Sequence, residues 1–91
     1  MEVVAGLQRA GVPLLAGTDY PNATLAAGSG LLEEIRALAD AGLTPFEALT
    51  AATTAAAKAI GDAASGVISR GARADLILLR SNPLVNLRAL D

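Results

Sequence analysis

Residues 12–17, Val12-Pro13-Leu14-Leu15-Ala16-Gly17, form a short apolar run in which no polar residue alternates with the apolar ones. Strands with one face in water alternate with a period of two, and this run does not. Its length and its bounding Gly11 and Gly17 suit a strand covered on both faces, as in a parallel sheet flanked by helices. Pro13 is compatible with that reading only near the start of the strand. A strand of this kind constrains the rest of the chain, because it requires neighbours along both edges and helices above and below.

The flanking segments supply helical patterns. Residues 2–10 place Val3, Val4, Leu7 and Ala10 at helical spacing, and Gly11 is a natural stop. Residues 18–30, from Thr18-Asp19-Tyr20-Pro21-Asn22 to Gly28-Ser29-Gly30, are rich in turn formers and read as a loop. Residues 31–41 predict a helix with Leu31, Ile35 and Leu38 buried. Glu33 and Glu34 fall in its first turn, where the helix dipole favours negative charge. Thr44-Pro45-Phe46-Glu47 is a capping box with Pro at the first helical position. The helix it opens is expected to run to Gly61, with Phe46, Leu49, Thr53, Ala56 and Ile60 on one face and mostly Ala on the other. Residues 66–68 and 74–79 then read as strands with Gly71 in the turn between them. Residues 83–90 read as a tail with Leu84, Val85, Leu87 and Leu90 as apolar anchors. The expected order is helix, strand, helix, helix, strand, strand, which is an α/β arrangement.

Composition sharpens this. The 91 residues are 53% hydrophobic and 18% charged, against about 25% charged for an ordinary soluble domain. A small free-standing domain is mostly surface and should be more polar than average. The opposite balance predicts that the chain packs against something else. Net charge is −2, the basic residues are scattered, and Tyr20 and Phe46 are the aromatic residues, so no nucleic-acid face is predicted. No apolar run reaches about 18 residues, so no transmembrane helix is expected. Glu2 and Gln8 interrupt any secretory-signal pattern. The chain has no Cys and no His. The missing His removes the usual metal ligand and the usual general base near neutral pH.

Four places could carry chemistry. Asp19 follows the C-terminal end of the buried-strand pattern, where (β/α) barrels gather catalytic residues. A carboxylate there can bind a divalent cation or take a proton from water, although Asp is also a common turn residue. Gly28-Ser29-Gly30 precedes a helix and could cradle an anion, but it lacks the Lys and the spacing of a phosphate loop. Asp75 lies near Arg70 and Arg73, which reads as a surface charge pair. Glu33-Glu34 could be a paired-carboxylate set, yet adjacent helix positions point in different directions.

Three stretches together carry a resemblance. Gly11-Val12-Pro13 through Gly17-Thr18-Asp19 resembles the last barrel strand of the amidohydrolase superfamily, which reads G-V-P-x-x-x-G-T-D. Ala41-Gly42-Leu43-Thr44-Pro45-Phe46-Glu47-Ala48-Leu49-Thr50-Ala51-Ala52-Thr53 resembles the helix pair that follows. Gly66-Val67-Ile68 through Gly71, Ala74-Asp75-Leu76 and Asn82-Pro83-Leu84 resemble the closing segment. The three occur in order at natural spacing, and the loop from Gly17 to Asn22 leans toward the imidazolonepropionase-like branch.

The resemblance implies the last strand and helices of a (β/α)8 TIM-type hydrolase barrel over residues 1–61. It implies part of a composite β-sandwich over residues 62–91. It further implies hydrolysis of a carbon–nitrogen bond in a small molecule by water activated at a divalent metal centre, usually zinc. Asp19 would be both metal ligand and catalytic base, with Tyr20 and Asn22 lining the substrate mouth.

The chain also departs from the family pattern. The family's His-x-His pair, later His residues and bridging Lys or carboxylate are absent. A whole barrel takes about 250 residues, so the chain is expected to be a piece of a longer one, completed by the remainder of the barrel or by a second copy. Two rivals remain: a catalytically inactive remnant acting through self-association or partner binding, and an unrelated small α/β domain.

Overall fold

The computed structural model describes residues 2–19 and 29–91. Its helices are α1 (Glu2–Arg9), α2 (Ser29–Asp40), α3 (Pro45–Ala52) and α4 (Thr54–Ala59), followed by a 3-10 turn at Leu87–Leu90. Three of the four helices end on a glycine with positive φ. At Gly42 the φ is 119°. The Gly42 amide donates to the Ala39 carbonyl and the Leu43 amide to Leu38, both within 3.2 Å. This pair of bonds satisfies the last carbonyls of α2. The same pair closes α1 at Gly11 and α4 at Gly61.

The capping box forms as the sequence predicts. The Glu47 amide donates to Thr44 Oγ1 at 3.1 Å and the Thr44 amide donates to Glu47 Oε1 at 2.9 Å. The helix it opens does not run unbroken to Gly61. It stops at Ala52 and restarts at Thr54. Thr50 Oγ1 donates to the Phe46 carbonyl at 2.8 Å and Thr53 Oγ1 donates to the Leu49 carbonyl at 2.7 Å. Such bonds back to the preceding turn bend helices, and Thr53 sits at the break with φ −124° and ψ −91°.

Ile35, Leu43, Ala48 and Leu87 form the core, with Val4, Leu14, Leu38 and Leu49 packed around them. Helix α3 turns its Ala face inward: Ala48 and Ala51 are buried, whereas Phe46 is 65% exposed. The small-residue face is therefore the packed one, and Phe46 and Ile60 on the other face are exposed. Alanine lets α2 and α3 approach closely, Leu49 packs against the core, and Phe46 is left largely exposed. Leu87 and Leu90 anchor the tail, and Arg36 of α2 pairs with Asp91. Helix α2 begins at Ser29, two residues before the expected start, so Glu33 and Glu34 lie beyond its first turn.

The three expected strands do not form as ladders. No strand pairing occurs among the described residues. Residues 12–19 and 73–79 carry no helix or ladder, and Ile77 and Leu78 are 76% and 100% exposed. The physical reason is that a strand is defined by its neighbours. A run buried on both faces needs a partner on each edge, and the described residues supply none.

Candidate active site

Residues 12–19 carry the candidate catalytic carboxylate at their end. The Val12 amide donates to the Leu7 carbonyl of α1 at 3.0 Å, and further contacts hold the segment against the helices. Leu14 packs against the core, and the Ala16 amide donates to the Ala51 carbonyl of α3 at 3.0 Å. Three residues further on, Asp19 is exposed and has φ 55°. Asp is one of the few side chains besides Gly that visits this left-handed region. The preceding Thr18 lines a recess of about 230 Å3 with Gly30, Glu33, Glu34 and Ala37 of α2. Helix α2 thus brings Glu33 and Glu34 to the recess beside the Asp19 segment. Tyr20, Asn22 and Gly28 lie outside the described residues. Ser29 and Gly30 are already helical, and Gly30 is buried, so they do not form an open loop.

A second recess, of about 530 Å3, lies between the end of α1, the 12–14 segment and α3. Its lining includes Gln8, Val12, Leu14, Phe46, Glu47 and Thr50. Gln8 Nε2 donates to Glu47 Oε2 at 2.8 Å. The Thr44 amide, and after it the Gln8 amide group, hold the Glu47 carboxyl below its usual range. Both oxygens of this carboxylate are committed to hydrogen bonds, which makes it a structural clasp between α1 and α3.

The expected pairing of Asp75 with Arg70 or Arg73 is replaced by another. Arg73 Nη1 lies 3.2 Å from Asp62 Oδ2 and donates to Ser65 Oγ at 2.8 Å. Asp62 also accepts from the Ser65 hydroxyl and the Ala64 amide. The Ser65 hydroxyl, then the Ala64 amide and the Arg73 charge, pull the Asp62 carboxyl below its usual value. This cluster pins the 62–73 turn, while Asp75 is exposed. The D-x-x-S spacing from Asp62 to Ser65 was its legible signal.

A catalytic zinc site takes about three protein ligands. No group of three or more His, Cys, Asp or Glu converges among the described residues. The described residues do not make up such a centre on their own.

The match to known sequences decides the family. The amidohydrolase family matches residues 1–90. The chain belongs to that family. Among curated amidohydrolase-family relatives, an ochratoxinase from Aspergillus niger is 36% identical over 93 residues, covering 100% of this chain and 18% of that protein. An imidazolonepropionase from Ralstonia nicotianae is 44% identical over 75 residues, covering 81% of this chain and 18% of that protein. One from Cereibacter sphaeroides is 41% identical over 75 residues, covering 82% of this chain and 19% of that protein. The chain therefore spans less than a fifth of the length of these relatives. No solved structure matches it. Members of the amidohydrolase family share a TIM-type barrel, and no strand pairing occurs among the described residues.

Proposed function

We propose that this chain is the C-terminal part of a metal-dependent amidohydrolase that hydrolyses a carbon–nitrogen bond, in a non-peptide or cyclic amide, of a small-molecule substrate. The observation that carries the reading is the family match over residues 1–90 together with Asp19 at the end of the G-V-P-x-x-x-G-T-D stretch. In this reading residues 1–61 complete the barrel and residues 62–91 join a composite β-sandwich. A divalent metal, zinc in most of the family, would polarise the attacking water. The chain's own contribution is the Asp19 carboxylate, which takes a proton from that water and returns it to the leaving nitrogen. Tyr20 and Asn22 line the mouth. The remaining ligands come from elsewhere in the longer chain, because the 91 residues contain no His.

The test uses the natural full-length protein and a panel of cyclic amides and acyl amino acids, including the substrates named by the relatives. Hydrolysis that is abolished by chelation, restored by zinc and lost in Asp19→Asn is the expected result. Full turnover in Asp19→Asn would remove the reading.

A second reading is favoured by the exposed apolar residues Ile68 and Leu78, which are 90% and 100% accessible. It holds that the 91-residue chain acts through association. Sedimentation would then show oligomers that Leu78→Glu disperses, whereas a monomer at working concentration would exclude it.

A further inference from the structure

We propose that the break between α3 and α4 is a positioning device for Asp19, in which Thr53 and Gly66 keep the Ala51 carbonyl free for the Ala16 amide. This inference rests on the catalytic reading of Asp19.

In an unbroken helix the Ala51 carbonyl would accept from the amide of Ala55, four residues on. Here it accepts from Ala16 at 3.0 Å. That bond is possible because the helix is interrupted at Thr53. Two features hold the interruption. The Thr53 hydroxyl is bonded back to the Leu49 carbonyl at 2.7 Å. Gly66, at φ 81°, lies so close to the Thr53–Thr54 peptide that a Cβ would meet the Thr53 oxygen at 2.8 Å and the Thr54 nitrogen at 3.1 Å. The backbone of the 62–73 turn therefore rests against the break. That turn is itself fixed by Asp62, Ser65 and Arg73. The chain of contacts runs from the turn, through the Thr53 peptide, to the Ala51 carbonyl, to the Ala16 amide and on to Asp19. Catalytic groups tolerate little displacement, and the Ala16 amide anchors the segment three residues before the left-handed Asp19. Thr53 and Gly66 act on Asp19 through these backbone contacts, so they are positioning residues in this proposal.

The test is a double-variant cycle in the full-length enzyme. Replacing Ala16 by lactate turns its amide into an ester, which removes the N–H donor and weakens the Leu15 carbonyl as an acceptor while leaving every side chain in place. Thr53→Val removes only the hydroxyl. Each change is expected to lower kcat by roughly ten- to a hundredfold with KM moved less than about twofold. Because both act through one bond, the double variant should fall no further than the worse single variant. Thr53→Ser should restore turnover, and the same ester at Ala74, in the exposed 73–79 segment, should leave it unchanged. In the metal-free protein the Ala16 amide should exchange slowly with solvent, exchange faster in Thr53→Val, and slow again in Thr53→Ser. An Ala16 ester with full turnover, in an enzyme that Asp19→Asn still abolishes, would overturn this inference and leave the functional reading standing. So would effects that simply add, since the Ala16 amide would then be bonded to something other than Ala51. Full turnover in Asp19→Asn would remove both.

Discussion

Gly66 and Thr53 meet backbone to backbone: a Cβ built on Gly66 would stand 2.8 Å from the Thr53 carbonyl oxygen. The neighbouring atoms are main chain, so they cannot swing aside as a side chain would. Gly66 also has φ 81°, which costs any other residue conformational energy. Gly66→Ala is therefore expected to destabilise the chain by on the order of 1–3 kcal/mol. Thermal unfolding should show a midpoint several degrees lower, and an unchanged midpoint would mean the two backbones are further apart than described.

Helix α3 makes an opposite pair of predictions on its two faces. Ala48 has no exposed surface and lies in the core with Ile35, Leu43 and Leu87. Ala48→Leu adds volume where none is free and should cost about 1–3 kcal/mol. Phe46 is 65% exposed, so Phe46→Ala should cost much less in the 91-residue chain. Denaturant titration of the two variants orders them. A larger loss for Phe46→Ala would show that its ring is covered in solution.

Glu47 and Asp62 set the acid limb of stability. Both carboxyls are held below their ordinary values of 4.5 and 3.8, the first chiefly by the Thr44 amide and the second chiefly by the Ser65 hydroxyl. A lowered folded-state value means the unfolded chain binds protons more readily. The stabilisation is then complete above the unfolded values and is lost as the pH falls through the folded ones. Stability should be flat near neutrality and fall below about pH 4.5. Glu47→Gln should flatten the upper part of that fall, and Ser65→Ala and Arg73→Ala should each raise the Asp62 titration. Carbon-detected NMR titration of the carboxyls reads both. A Glu47 carboxyl titrating at its ordinary value would contradict the clasp.

Local signals in the chain were legible, and those needing neighbours were not. The capping box at Thr44 and Glu47 and the stops at Gly11, Gly42 and Gly61 are specified within a few residues, so composition and spacing sufficed. The break at Thr53 was missed because its hydroxyl competes with the helix through one hydrogen bond, which spacing alone does not reveal. The runs at 12–17 and 74–79 carry the apolar content of strands, but a ladder is a property of two segments, and neither run pairs with another among the described residues. The two faces of α3 were legible in the spacing, and the structure packs the small one, with Ala48 and Ala51 buried and Phe46 exposed. At the candidate site, Asp19 stood out through the G-T-D stretch. The Ala16–Ala51 bond that anchors its segment joins residues 35 positions apart and has no sequence mark.

The glycine-closed helix ends have a kinetic consequence. Each of α1, α2 and α4 satisfies its last carbonyls from amides within its own final turn or just beyond, so none must wait for a distant segment to be sealed. Helical turns of this kind form on the microsecond scale or faster, whereas contacts across long stretches of chain pay loop-closure entropy first. The seams that join Ala5 to Gly42, Ala16 to Ala51 and Thr53 to Gly66 are therefore the slow steps. Residues 12–19 therefore dock, through Leu14 and the Ala16 amide, onto helices whose ends are already closed.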